Sequence, residues 1–187
     1  MASARDRVLD AYETLLIEHG AAAITLDAVS AAAGVSKGGL LYHFASKDAL
    51  AAGLLDRLRD RSAADADAIR TAPDGSVGYY IRTSAPGGGT PGGVTRTYLA
   101  VLRLADGTES GKAVRDALAL VDADGYEALR DELHDPVLAW LVQLVGDGLY
   151  LRTLTGTPLP PGLGVEDLLA RMRRYLPAGP EVAPPAS

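Results

Sequence analysis

The chain has 187 residues, 48% of them hydrophobic and 22% charged, which fits one compact domain or a small domain joined to a larger one and excludes wholesale disorder. It has no cysteine, which removes disulfides, thiolate metal sites and a cysteine nucleophile; His19, His43 and His134 lie too far apart for metal-ligand spacing, so no metal and no cofactor is expected. A net charge of −6 argues against indiscriminate nucleic-acid binding, which needs a basic footprint, while leaving room for a local basic patch.

The start MASARDRV lacks the apolar core of a secretory signal, and no apolar run reaches the roughly 18 residues of a membrane span. A soluble cytoplasmic protein with no membrane contact is expected. Residues 3–19 read as a helix, with Val8, Ala11, Tyr12, Leu15 and Leu16 as one apolar stripe and Asp6, Asp10, Glu13 and Glu18 mostly on the other side. Gly20 ends it. Thr25 caps the next helix, with Asp27 in its first turn, where the helix dipole favours an anion. Gly34 stops that helix, and Ser36 caps another at 37–43. Ser46 caps a long helix over about 47–71, striped by Leu50, Leu54, Leu55 and Leu58. Only a few residues around Gly34 join the second and third helices, which is helix-turn-helix spacing.

Beyond Pro73-Asp74-Gly75 the chain predicts a short helix at 76–85, a Pro/Gly loop at 86–93, and helices at 94–105 and about 110–133. Asp135-Pro136 is an N-cap followed by proline at the first helical position, opening a helix to about 154. A last helix is expected at 165–176, then a disordered tail at 177–187. No stretch shows β-alternation. The fold class is therefore all-α: a helix-turn-helix domain at 1–48 and a larger helical domain at 49–176 joined by the long helix.

The segment Ser36-Lys37-Gly38-Gly39-Leu40-Leu41-Tyr42-His43-Phe44 carries the chemistry. Val35, Leu40 and Phe44 can face inward, leaving Lys37, Gly38, Tyr42 and His43 outside. Two adjacent glycines cost a seven-residue helix roughly 2 kcal/mol against alanine. Either they mark a loop, or the backbone must approach something closely. Lys37 and Lys47 stand at helix starts, where free N–H groups already attract anions. Thr25 and Ser36 add hydroxyls, and lysine, hydroxyl, tyrosine and histidine donors around helix N-termini are the usual phosphate-contacting set. The competing reading is a plain surface hairpin, since residues 1–60 hold six basic and eight acidic side chains.

Residues 5–55 resemble the DNA-binding domain of the tetracycline-repressor (TetR) family of bacterial transcriptional regulators. The matching pieces are the first helix ending in Gly20, Thr25-Leu26-Asp27-Ala28-Val29, Ala33-Gly34-Val35-Ser36-Lys37-Gly38, Leu40 with Tyr42-His43-Phe44, and Ser46-Lys47 with Leu50. The resemblance implies that Thr25, Ser36, Lys37, Gly38, Gly39, Tyr42, His43 and Lys47 form a DNA-binding surface on double-stranded, palindromic operator DNA. It also implies a repressor released by a small-molecule effector. Leu41 stands where the family commonly has tyrosine, and Gly39 where many members carry a larger side chain, so base readout rests chiefly on Lys37 and Tyr42, with DNA shape.

Gly87-Gly88-Gly89-Thr90-Pro91-Gly92 formally matches a phosphate-loop pattern, but it follows no strand and contains proline. His134-Asp135 reads as a cap. Asp147 between Gly146 and Gly148 reads as a close helix crossing, with the acid bonded to an arginine. Tyr79, Tyr80, Tyr98, Tyr126 and Trp140 are the candidate effector pocket for an uncharged or weakly polar organic molecule. The helix at 136–154 is apolar on two sides, so one must meet a partner. Val137, Trp140, Leu144, Leu151 and Leu154, with Leu168, Leu169 and Met172, are the candidate interface of a homodimer. Two readings compete with the regulator released by an effector: a helical enzyme or ligand-binding protein whose hairpin is only structural, and a ligand-independent regulator or activator.

Overall fold

The computed structural model describes residues 3–88, 93–105 and 111–175. All regular structure among them is helical: α1 (Ala4–His19), one 3-10 turn at Ala21–Ala23, α2 (Leu26–Ala32), α3 (Lys37–His43), α4 (Lys47–Arg70), α5 (Ser76–Ser84), α6 (Val94–Ala105), α7 (Gly111–Leu133), α8 (Pro136–Thr155) and α9 (Val165–Met172). The last helix stops at Met172, short of the expected 176. The expected tail at 177–187 and most of the glycine-rich motif at 87–92 lie outside the described residues.

Packing divides the chain into two units, Met1–Ala63 with Gly92–Asp122, and Ala64–Pro91 with Ala123–Ser187. This division follows cores, not the functional boundary expected after residue 48. Helices α4 and α7 each give their first part to one unit and the remainder to the other.

In the first unit, Ser3 and Asp6 form a reciprocal capping box that starts α1, and Gly20, at φ 72°, ends it. Leu9, Leu16, Leu40, Leu50, Leu54 and Leu58 are fully buried and hold α1, α3 and α4 on one core. Phe44 packs so closely on α4 that a β-carbon at Gly53 would sit 2.5 Å from its ring. Glu13 is the exception to the expected polar face, being only 1% exposed. It accepts hydrogen bonds from Thr97 Oγ1 at 2.9 Å, Arg61 Nη1 at 3.1 Å and Arg57 Nη1 at 3.3 Å, with Arg96 Nε at 3.5 Å. Arg57 is also bonded to Asp10 at 2.6 Å and to the Asp6 carbonyl at 3.1 Å. Burial opposes the Arg57 charge, but the Asp10 and Glu13 carboxylates outweigh it and raise its pKa. Periodicity could not reveal this, because the cations that make the site habitable for a carboxylate arrive from α4 and α6.

In the second unit, α5 packs on α8 and α9 around Val77, Ile81, Leu129, Leu133, Val142, Leu149 and Leu169. Asp135 caps α8 as expected, accepting from Val137 N at 2.8 Å and Leu138 N at 3.0 Å. Gly146 is where α5 and α8 approach, since any β-carbon there would run into the Tyr80 ring; one at Gly148 would meet nothing. Asp147 accepts from Tyr80 Oη at 3.4 Å. The 20-residue α8 is long and apolar enough to cross a membrane by length and composition alone, although Asp147 and Arg152 interrupt its apolar run. Its inner residues Ala139, Val142 and Leu149 are built into the unit's core.

Candidate nucleic-acid interface

Three short-range caps build the hairpin. Thr25 Oγ1 accepts from Ala28 N at 3.1 Å, Ser36 Oγ from Gly39 N at 3.0 Å, and Ser46 Oγ from Ala49 N at 3.1 Å. Each hydroxyl acts there as an acceptor, so its own proton stays available to a phosphate oxygen. Between α2 and α3 the backbone turns through Gly34 at φ 63°, a left-handed conformation that glycine adopts without strain. The Val35 N–H returns to the Ser30 carbonyl at 3.1 Å and closes the turn.

Helix α3 is anchored by Leu40, with no exposure, and by Phe44. Its outer face carries Lys37, Gly38, Leu41, Tyr42 and His43. Tyr42 is 87% exposed and meets the His43 ring edge-on at 5.1 Å. The paired glycines are helical, not a loop. A β-carbon at Gly39 would lie 3.2 Å from Ser36 Oγ, whereas one at Gly38 would meet nothing within 4 Å. Internal packing therefore explains a small residue at 39 but not at 38. Gly38→Ala is expected to raise stability by about 0.5–1 kcal/mol through helix propensity, and to weaken DNA binding if a phosphate backbone approaches α3 there. Thermal melts and operator titrations of this variant check both halves.

Of the two lysines expected at helix starts, Lys47 is exposed with no ion pair among the described residues, while Lys37 is committed. Its ammonium sits 2.9 and 3.1 Å from the two Asp27 carboxylate oxygens, bridging α2 to α3. Both side chains are more than half exposed, so the bridge is weak and exchangeable. Sequence reasoning counted Asp27 as a dipole partner alone and missed this second role.

The aromatic residues expected to form a pocket belong to both units. Tyr98 packs on the core of the first unit, whereas Tyr79, Tyr80 and Tyr126 pack in the second. Tyr79 donates to Asp65 at 3.1 Å; burial first, then the Asp65 charge, pushes its hydroxyl up to about 12. Burial also raises the Asp65 carboxyl above its ordinary value. Trp140 is 58% exposed on α8. A cavity of about 350 Å³ opens in the second unit between Leu149, Leu159, Pro160, Leu163, Val165 and Leu168, and none of these aromatic residues lines it. Of the expected interface residues, Val137, Trp140, Leu144 and Leu151 are exposed and Leu154 is half-buried. Leu169 is instead inside the unit's own core at 1% exposure, and Leu168 and Met172 pack against that core.

Residues 8–54 match the model of bacterial regulatory proteins of the tetR family. The chain is 37% identical over 83 residues to the HTH-type transcriptional regulator AlkX of Mycobacterium tuberculosis, a match that covers 44% of this chain and 38% of that protein. It thus spans well under half the length of that relative. Among solved structures, the multidrug binding protein EbrR complexed with malachite green superposes with a TM-score of 0.65 at 27% identity, over 93% of this chain and 98% of that one. NalD of Pseudomonas aeruginosa, the secondary repressor of the MexAB-OprM multidrug efflux pump, shares the fold, with a TM-score of 0.61 at 21% identity over 92% and 96% of the two chains.

Proposed function

We propose that this chain, whose residues 8–54 match the model of bacterial regulatory proteins of the tetR family, is a cytoplasmic homodimeric repressor that binds a palindromic operator and leaves it when a small organic molecule binds. The observation that carries the reading is the outer face of α3. A helix anchored by Leu40 and Phe44 presents a nearly fully exposed tyrosine, a histidine, a lysine and an unfilled glycine position. Tyr42 and His43 meet base edges or the groove wall, and Lys37 and Lys47 meet phosphates. The hydroxyls of Thr25 and Ser36 add further phosphate contacts. Two such helices in a dimer fit successive major grooves when they lie about 34–36 Å apart. No catalytic role is proposed.

Electrostatics sets the expected behaviour of Lys37. On DNA it exchanges Asp27 for a phosphate, and that exchange releases a counterion. Lys37→Ala is expected to lower the slope of log K against log salt by about one. Tyr42→Ala is expected to cost roughly 1–3 kcal/mol, and less against mixed-sequence DNA, because it removes base readout. Anisotropy titrations on operator DNA recovered by selection check both. Unchanged affinity in two folded variants would return the hairpin to a structural role.

The effector half of the proposal draws support from EbrR, a multidrug binding protein whose structure was solved in complex with malachite green. Within the second unit, Tyr79, Tyr80 and Tyr126 are the groups offered to such a molecule. A thermal-shift screen followed by operator titration with each hit tests it. A ligand that stabilises the protein and leaves operator affinity unchanged would make the regulator ligand-independent at that site.

A further inference from the structure

Positive charge in the hairpin unit is unevenly committed. Among the cations of residues 3–63, Lys37, Arg57, Arg59 and Arg61 are ion-paired, and Arg7 is engaged as well. Arg5 and Lys47 have no carboxylate partner among the described residues. Arg5 lies in the first turn of α1, where the helix dipole opposes a cation, so it is not there for the stability of that helix. Its guanidinium carbon stands 5.5 Å from the centroid of the Phe44 ring. Phe44 caps the C-terminus of α3 and precedes the Ser46 cap of α4, whose first residue is the exposed Lys47.

We propose that Arg5 is a phosphate contact of the DNA-binding surface, held at the α3–α4 junction by Phe44 and acting beside Lys47. The inference rests on the DNA-binding reading above. The ring engages the guanidinium through its face, which leaves the N–H edge available for a phosphate. Arginine suits this position because its planar fork can stack and donate together, whereas an ammonium acts as a point charge. The pairing also lets a domain with more acids than bases hold DNA. Lys37 must trade its Asp27 partner for a phosphate, but Arg5 and Lys47 give up no carboxylate.

The test uses the full-length protein and a duplex recovered from a random pool by in vitro selection, with a mixed-sequence duplex of equal length as control. Arg5→Ala is expected to lower the slope of log K against log salt by about one and to weaken binding roughly fivefold to tenfold at about 0.1 M salt, on both duplexes alike. Arg5→Lys keeps the charge and should hold the slope near wild type. Both variants lose the stacked guanidinium, so a shared fall in melting temperature with unequal slopes separates the phosphate contact from a merely structural one. A wild-type slope in Arg5→Ala, or a slope in Arg5→Lys as low as in Arg5→Ala, overturns the assignment while leaving the DNA-binding reading intact. Failure of the wild-type chain to recover any duplex overturns both.

Discussion

Glu13→Ala should destabilise the chain by about 3–5 kcal/mol, the cost of breaking a buried ion pair from one side. The carboxylate is 1% exposed and receives donors from α4 and α6. Removing it leaves Arg57, itself 8% exposed, with Asp10 and Asp6 but without its innermost partner, and leaves the Thr97 hydroxyl without its acceptor on α1. The penalty arises from desolvated groups left unpaired, so it should exceed the loss from any surface bridge such as Arg59–Asp56. Glu13→Gln should fall between the two, since its amide oxygen can still accept while the charge is gone. Urea denaturation of the three chains checks the order. A loss under about 1 kcal/mol for Glu13→Ala would mean that water replaces the carboxylate and that the network does not fasten α1 to α4 and α6.

Placing glutamate at both Trp140 and Leu144 should convert the protein to a monomer at micromolar concentration and reduce operator affinity at least 100-fold. Val137, Trp140, Leu141, Leu144 and Leu151 are 63%, 58%, 50%, 48% and 60% exposed along α8. Each is worth about 1.5–3 kcal/mol when fully removed from water, so a run of five in open solvent marks a surface built to be covered. In the proposed homodimer a second copy covers it with the same residues under two-fold symmetry. Two carboxylates at the centre would face their own copies across the axis and repel. The inner residues of α8 are untouched, so circular dichroism should be unchanged. Sedimentation velocity reads the assembly, and titration on a two-half-site duplex reads the loss of paired binding. A wild-type chain that sediments as a monomer, or a variant that stays dimeric, removes this face from the interface.

The parts legible in the sequence were those governed by neighbours along the chain. Thr25, Ser36, Ser46 and Asp135 cap helices because a side-chain oxygen reaches an N–H two or three residues on, whatever the rest of the fold does. The range of α3 and the two-sided apolar character of α8 follow from spacing within one helix. The tertiary structure decided what distant segments bring together. Glu13 read as a surface acid until Arg57 and Thr97, 44 and 84 residues away, converged on it. Leu169 read as an interface residue until α5 and α8 closed over it. In the sequence Lys37 and Arg5 are both simply cations. Asp27 then engages one, while Phe44 positions the other and leaves its charge unpaired. A side chain's burial and the availability of its charge depend on which groups fold against it, and helical period constrains only the face it starts from.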